Sequence, residues 1–160
     1  MALDRLAGEL DYPMLIVTTT SRTGERAGCL VGFHTQCSIH PLRWAVFLSV
    51  ENHTYRCALD AEVLVVHFPA AGDHDIAEIF GSMTGDDADK FARSEWTSGP
   101  YGVPLLERCP NRFVGRVIDV IDDGGDHVCF VLDPIAVEHP GTLTPLTYQS
   151  TRDVSPGHPA

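Results

Sequence analysis

Two groups of residues in this chain have the types and spacing to hold a small polar ligand. Thr35, Gln36, Cys37 and Ser38 lie between Gly28 and Pro41, where an apolar run turns abruptly polar. Ser49, Asn52, His53 and Thr54 follow the next apolar run, Trp44 to Val50, so two polar stretches stand at the ends of what read as neighbouring strands. Such an arrangement suits a small-ligand cradle. Elsewhere, Gly125-Asp126-His127 ends a turn and puts an imidazole at the start of a late strand. Hydroxyls, amides and backbone N–H groups at strand ends can hold a heteroaromatic rim or a single phosphate. Arg56 is the cation nearest the second group, and Lys90, the only lysine, is the alternative phosphate partner. Each group also has a plain structural reading: Thr and Ser as turn caps, Arg56 as a solvated helix residue, Lys90 as a surface pair with Asp89, His127 as a hairpin neighbour.

Composition removes several alternatives. The chain has a net charge of −11 with no cluster of cations, which nucleic-acid binding needs in order to replace phosphate counterions. An anionic membrane surface is disfavoured on the same ground. The apolar runs reach only about seven residues against the roughly 20 needed to cross a bilayer. The N-terminus, Met1 to Leu10, carries acids and no long apolar segment, so a cytoplasmic location is expected. Five cysteines, an odd and scattered set, read as free and mostly buried thiols. No His-x-x-x-His and no Cys/His pair of familiar zinc spacing stands out among the eight histidines, so no metal is expected. Cys37 has no recognisable base partner and is not read as a nucleophile.

The elements that would position these groups follow from periodicity. Leu3 to Leu10 has helical spacing; 14–20 and 26–33 read as a hairpin around the turn cluster 21–25. A loop is expected over 34–41, a strand over 44–50, and a helix over 54–61 capped by Thr54. A strand covers 62–68, in which His67 is structural; a helix runs from Asp73 until Gly81 stops it. The stretch 86–93 is helical and 94–104 a loop. Phe113 to Ile121 alternates imperfectly, which suggests a bulge, and Asp122 to Asp126 turns the chain into the return strand 127–137. Phe80, Phe91 and Trp96 read as core or interface aromatics. About six strands with short helices, and no regular βαβ alternation, predict a mainly β protein: an antiparallel barrel with short helical insertions. One domain is expected over 1–149 and a flexible tail over 150–160.

Four segments, in order, match a known pattern: Gly28 with Thr35 to Pro41; Leu48-Ser49-Val50 with Asn52-His53-Thr54; Phe80 with Asp89-Lys90-Phe91, Trp96 and Gly102-Val103-Pro104-Leu105; and Gly125-Asp126-His127. From about Tyr12 to Tyr148 the chain resembles the flavin reductase-like family of FMN-binding split β-barrels. The resemblance implies bound FMN, or FAD, and NADH or NADPH as reductant. It also implies a homodimer, and a partner monooxygenase that takes the reduced flavin. Thr35, Gln36, Cys37 and Ser38 would then edge the isoalloxazine, which needs donors because reduction places negative charge on the ring. Ser49, Asn52, His53, Thr54 and Arg56, with Lys90 as the alternative cation, would hold ribityl or phosphate oxygens. His127 would position the nicotinamide by donating from a neutral ring. The chain departs from the family in Gln36, where a serine is common, in Leu132-Asp133, where Gly-Glu is common, and in the short ending Leu146 to Gln149. The last two departures leave a flavin-carrying module with little reductase activity as the rival. An oxidase of the related pyridoxamine-phosphate type would want a basic cluster that the chain lacks.

Overall fold

A computed structural model describes residues 1–82 and 88–154. The helices are α1 (Ala2–Glu9), α2 (His53–Leu59), α3 (His74–Ser82) and α4 (Ala88–Ala92). The strands are β1 (Leu15–Thr20), β2 (Arg26–Val31), β3 (His34–Ile39), β4 (Leu42–Ser49), β5 (Val63–His67), β6 (Trp96–Ser98), β7 (Pro104–Leu106), β8 (Arg112–Ile121) and β9 (His127–Glu138). Seven of them form one sheet in the order β2-β1-β5-β8-β9-β4-β3, and β6 pairs with β7. Every pairing is antiparallel. β2 and β4 stand towards opposite margins of the sheet yet touch, so the sheet curls into a split barrel.

The curl encloses a core of alternate residues: Leu15 and Val17, Cys29 and Val31, Val46 and Leu48, Leu64 and Val66, Val128, Phe130 and Leu132. Side chains two apart share a face of a strand, so these pairs point inward together. A second cluster lies outside the sheet, where Ile76 and Phe80 of α3, Phe91 of α4 and Leu106 of β7 cover Ile16. β5 is therefore buried on both faces and reads as an unbroken Val-Leu-Val-Val-His run. His67 sits among these layers, fully buried. Its Nδ1 donates to the Ile16 carbonyl at 3.0 Å, and its Nε2 accepts the Leu106 N–H at 3.0 Å. The structural reading of His67 holds.

The outer face of β2 is covered by α3 and α4. Gly28 makes this approach possible, because a Cβ there would stand 2.7 Å from the Phe80 ring. Lys90 lies against the same spot, and its ammonium donates to the Gly28 carbonyl at 2.8 Å.

Several expectations need correction. The loop expected over 34–41 is strand β3, with a bulge at Cys37 and a turn through cis His40–Pro41. Its polar side chains suit an exposed edge strand, whose ladder bonds come from the backbone of β4 alone. β4 accordingly starts at Leu42, two residues earlier than expected. α2 is capped by Asn52, not Thr54: the Asn52 Oδ1 accepts the Thr54 N–H at 3.0 Å. Gly81 lies inside the last turn of α3 and does not stop it. The loop expected over 94–104 contains β6 and a 3-10 turn at Pro100–Gly102. The bulge expected in the late hairpin is present at Ile118. Residues 86 and 87 of the expected helix 86–93, and residues 155–160 of the expected tail, lie outside the described residues. Within 150–154, a 3-10 turn at Gln149–Thr151 buries Thr151. α1 forms where its spacing predicts, but none of its residues is buried.

Candidate active site

The curl leaves a cleft of about 580 Å³ where β2 meets β4 and the chain's last segment crosses. This lies within the roughly 300–1,000 Å³ of small-molecule sites. Of the sequence-predicted residues, Ser49, Asn52 and His127 line it. Pairing explains their meeting: Ser49 ends β4 directly opposite His127, which starts β9. The Val50 N–H then donates to the Asp126 carbonyl at 3.0 Å, tying the two polar groups into one corner. Asn52 is held there by its capping bond, and the Ser49 hydroxyl accepts the Glu51 N–H at 3.3 Å.

His127 is half-buried, packed at 4.9 Å against the Phe33 ring, and its Nδ1 bonds the Asp126 carboxylate at 2.8 Å. That hydrogen bond is the main reason the Asp126 pKa is lowered. An ionised carboxylate only accepts, so Nδ1 is the donor in this bond and Nε2 is the ring nitrogen that Asp126 does not engage.

The opposite wall is aromatic. Tyr12 and Tyr148 stack with centroids 4.9 Å apart and planes 9° from parallel, and the Arg152 guanidinium lies 5.9 Å from the Tyr148 ring. All three line the cleft. Their positions depend on backbone pairing between distant segments: Tyr148 N–H donates to the Tyr12 carbonyl at 2.8 Å, and Met14 N–H to that of Leu146 at 2.8 Å. Burial is the leading reason the Tyr12 pKa is raised. Sequence reasoning passed over Tyr12, Phe33 and Arg152. Its only hint in this wall was Tyr148, noted in the chain's ending.

The other expected residues lie elsewhere. Thr35, Gln36 and Ser38 pair with Ala45, Trp44 and Arg43 at the far end of β4, with Cys37 at the bulge between them. The structure does not join this stretch to Ser49–Thr54 within one chain. Thr54 is fully buried, and its hydroxyl has no hydrogen-bond partner among the described residues. His53 faces Glu25 at 2.8 Å, and Arg56 is exposed on α2. Lys90 is 2% exposed, so the surface-pair reading fails. His34, half-buried beside Trp44, bonds the Pro13 carbonyl at 2.7 Å, and burial lowers its pKa. Of the five thiols only Cys37 is exposed.

The cleft fits a flavin in shape and chemistry. It has one ring-lined wall, one corner of hydroxyl, amide and imidazole groups, and Gly32 between them. A Cβ at Gly32 would stand 3.2 Å from the Tyr12 ring and 3.4 Å from Met14, so the glycine keeps that wall open. Compared with known families, residues 7–156 match the flavin reductase-like domain. The chain belongs to the flavin reductase-like family. It is an oxidoreductase of the flavin reductase type. An FMN reductase (NADH), RutF, of Variovorax paradoxus is 28% identical over 137 residues, 86% of this chain and 74% of its own length. Among solved structures, an NADH:FAD oxidoreductase of Streptomyces globisporus has a TM-score of 0.82 at 20% identity, covering 94% of this chain and 88% of its own. Nitrilotriacetate monooxygenase component B from Mycobacterium thermoresistibile has a TM-score of 0.79 at 22% identity, covering 91% and 80%. At these identities the two structures establish the split-barrel fold of this flavin reductase-like chain. Among its described residues, no helix is long and apolar enough to cross a membrane.

Proposed function

We propose that this flavin reductase-like protein uses NADH or NADPH to reduce FMN or FAD held in the cleft. The observation that carries the reading is that Ser49, Asn52 and His127 share one cleft with the Tyr12–Tyr148 wall. Bound there, the flavin supplies a ring that accepts hydride and the reduced nicotinamide supplies the hydride, so no protein acid or base is required. What the chain contributes is position and exclusion of water. Ser49 and Asn52 offer oxygen and amide groups to ribityl or ring-edge atoms. Arg152 is the cation inside the cleft and takes the phosphate role in preference to Arg56 or Lys90, whose ammonium is engaged at Gly28. His127, held by Asp126, accepts from the carboxamide NH₂ of the nicotinamide and sets its angle over the flavin.

The protein acts as a homodimer in this reading. Ile39, Leu42 and Val137 are exposed apolar residues on β3, β4 and β9, beside the polar edge Thr35–Ser38. A second copy covering this face lets Thr35, Gln36, Cys37 and Ser38 reach a flavin that they do not approach within one chain. Its reduced flavin passes to a partner monooxygenase, a reading supported by the likeness to a monooxygenase component B.

Anaerobic mixing of the FMN-loaded protein with NADH, and separately with NADPH, is expected to bleach the oxidised-flavin absorbance. Binding of flavin without bleaching by either nucleotide would leave the carrier reading instead. His127→Ala is expected to raise KM for the nicotinamide about tenfold, with kcat and flavin affinity within about threefold, as loss of uniform binding does. Weaker flavin binding at unchanged KM would move His127 to the flavin side.

A further inference from the structure

Outside the cleft, one group of side chains brings donor atoms of three kinds within 4.8 Å of one another. Glu25 closes the turn before β2, while His53 and Cys57 stand four residues apart on α2. Residues i and i+4 of a helix present their side chains on the same side, which brings imidazole and thiol together. The His53 Nε2 lies 2.8 Å from Glu25 Oε1 and 3.5 Å from Cys57 Sγ, and the three ligand atoms fall within 4.8 Å of one another. Both contacts use the same ring nitrogen. A Cys–His–Glu relay would need the two ring nitrogens to divide these partners, so the arrangement does not read as an activated nucleophile. Three donor atoms of these kinds, this close together, can be brought onto one cation by small side-chain rotations.

We propose that Glu25, His53 and Cys57 form a site for zinc or a similarly thiophilic divalent cation. Thiolate, imidazole and carboxylate are the zinc donor set, and a thiolate disfavours magnesium and calcium. With Zn–S near 2.3 Å and Zn–N near 2.0–2.1 Å, a tetrahedral centre separates S from N by about 3.6 Å and N from O by about 3.4 Å. The Sγ–Nε2 distance of 3.5 Å already matches. The 2.8 Å Nε2–Oε1 contact widens by about half an ångström as the metal replaces the shared proton. Cys57 is 3% exposed and is reached past His53 and the exposed Glu25, whose carboxylate can swing to admit the ion. Binding releases the thiol proton, and any proton on Nε2, to solvent. Three protein ligands leave a fourth position for water. The ion would pin the β1–β2 turn to the first turn of α2, directly after the Asn52 cap that lines the cleft. The helical His53-x-x-x-Cys57 spacing was in the sequence, but Glu25 is 28 residues earlier, and only the fold supplies the third ligand.

The test uses the full chain carrying Cys37→Ser, which removes the exposed thiol as a competing ligand. Titration with Co²⁺ is expected to give a thiolate-to-cobalt band in the near ultraviolet and d–d bands of tetrahedral intensity, at one equivalent. Calorimetry with Zn²⁺ is expected to show the same stoichiometry and a Tm that rises with metal. Cys57→Ser should remove the thiolate band. Glu25→Gln and His53→Gln should each weaken Zn²⁺ at least about tenfold and cancel the Tm rise. Glu25 is exposed, so its variant reports on ligation without disturbing the core. Absence of the cobalt–thiolate band, or Zn²⁺ affinity unchanged in Glu25→Gln, would overturn the three-ligand site. The outcome does not depend on whether flavin binds.

Discussion

Between pH 7 and pH 4 the protein should lose about 3 kcal/mol of stability through His67 alone. The histidine is fully buried, and desolvation lowers its pKa from the ordinary 6.5 to about 3, against the opposing bond to the Ile16 carbonyl. In the unfolded chain the same imidazole titrates near its ordinary value. Below pH 6.5 the unfolded state therefore binds a proton that the folded state refuses, and stability falls with pH. The loss is complete only as pH passes through the folded value near 3, where it amounts to about 5 kcal/mol. His34, lowered by burial, acts in the same direction. Asp75, Asp126 and Asp153, all lowered by hydrogen-bonded partners, add their losses at lower pH, below the carboxylate range. The interval from pH 6.5 to 4.5 is thus the histidine window. Denaturant unfolding at several pH values across it should show the slope in the parent. It should largely vanish in His67→Gln, whose amide offers one donor and one acceptor for Ile16 and Leu106 but no proton to gain. Equal slopes in the two proteins would remove His67 as the cause.

Gly32→Leu should weaken flavin binding at least about a hundredfold, close to 3 kcal/mol, while leaving Tm nearly unchanged. Gly32 lies between β2 and β3, and its φ is not in the left-handed region, so leucine meets no backbone strain there. Its first carbon would stand 3.2 Å from the Tyr12 ring and 3.4 Å from Met14, tight contacts that the ends of these two side chains relieve by shifting a few tenths of an ångström. The rest of the side chain can extend only away from them, into the cleft. A leucine occupies volume the ligand needs and contributes no polar group in return. Fluorescence quenching of FMN on titration with each protein measures the difference. Retained affinity in a folded Gly32→Leu protein would place the flavin somewhere other than this cleft.

Most of the sheet was legible from periodicity. Leu15 and Val17, or Leu64 and Val66, alternate or run apolar because each residue's fate depends on neighbours two positions away. Asp122 to Asp126 could be read as a turn because Gly124, at φ 91°, takes a conformation few other residues adopt. The first failure was β3. His34 to Ile39 carries polar side chains, and nothing local distinguishes an exposed edge strand from a loop, since its stability comes from the β4 ladder. The same error distorted the site. A loop over 34–41 would bring its polar groups to Ser49–Thr54, whereas antiparallel pairing sends them to the other end of β4. Lys90 failed for a related reason: a lysine beside an aspartate reads as surface, and only the packing of α4 on β2 buries it.

By itself the sequence determined the strand and turn succession, the late hairpin that presents His127, and, through four ordered motifs, the flavin reductase-like family. Each of these is a matter of local spacing, and local spacing is written in the chain. Only the tertiary structure decided what the cleft contains. Tyr12 meets Tyr148 where the last segment crosses, Ser49 meets His127 through the β4–β9 pairing, and outside the cleft Glu25 meets His53 and Cys57 where α2 packs by β2; the sheet curls until β2 touches β4 and so closes the cleft. That closure is driven by burying the alternate apolar residues of six strands at once. It is a property of the whole sheet, and no window of residues contains it.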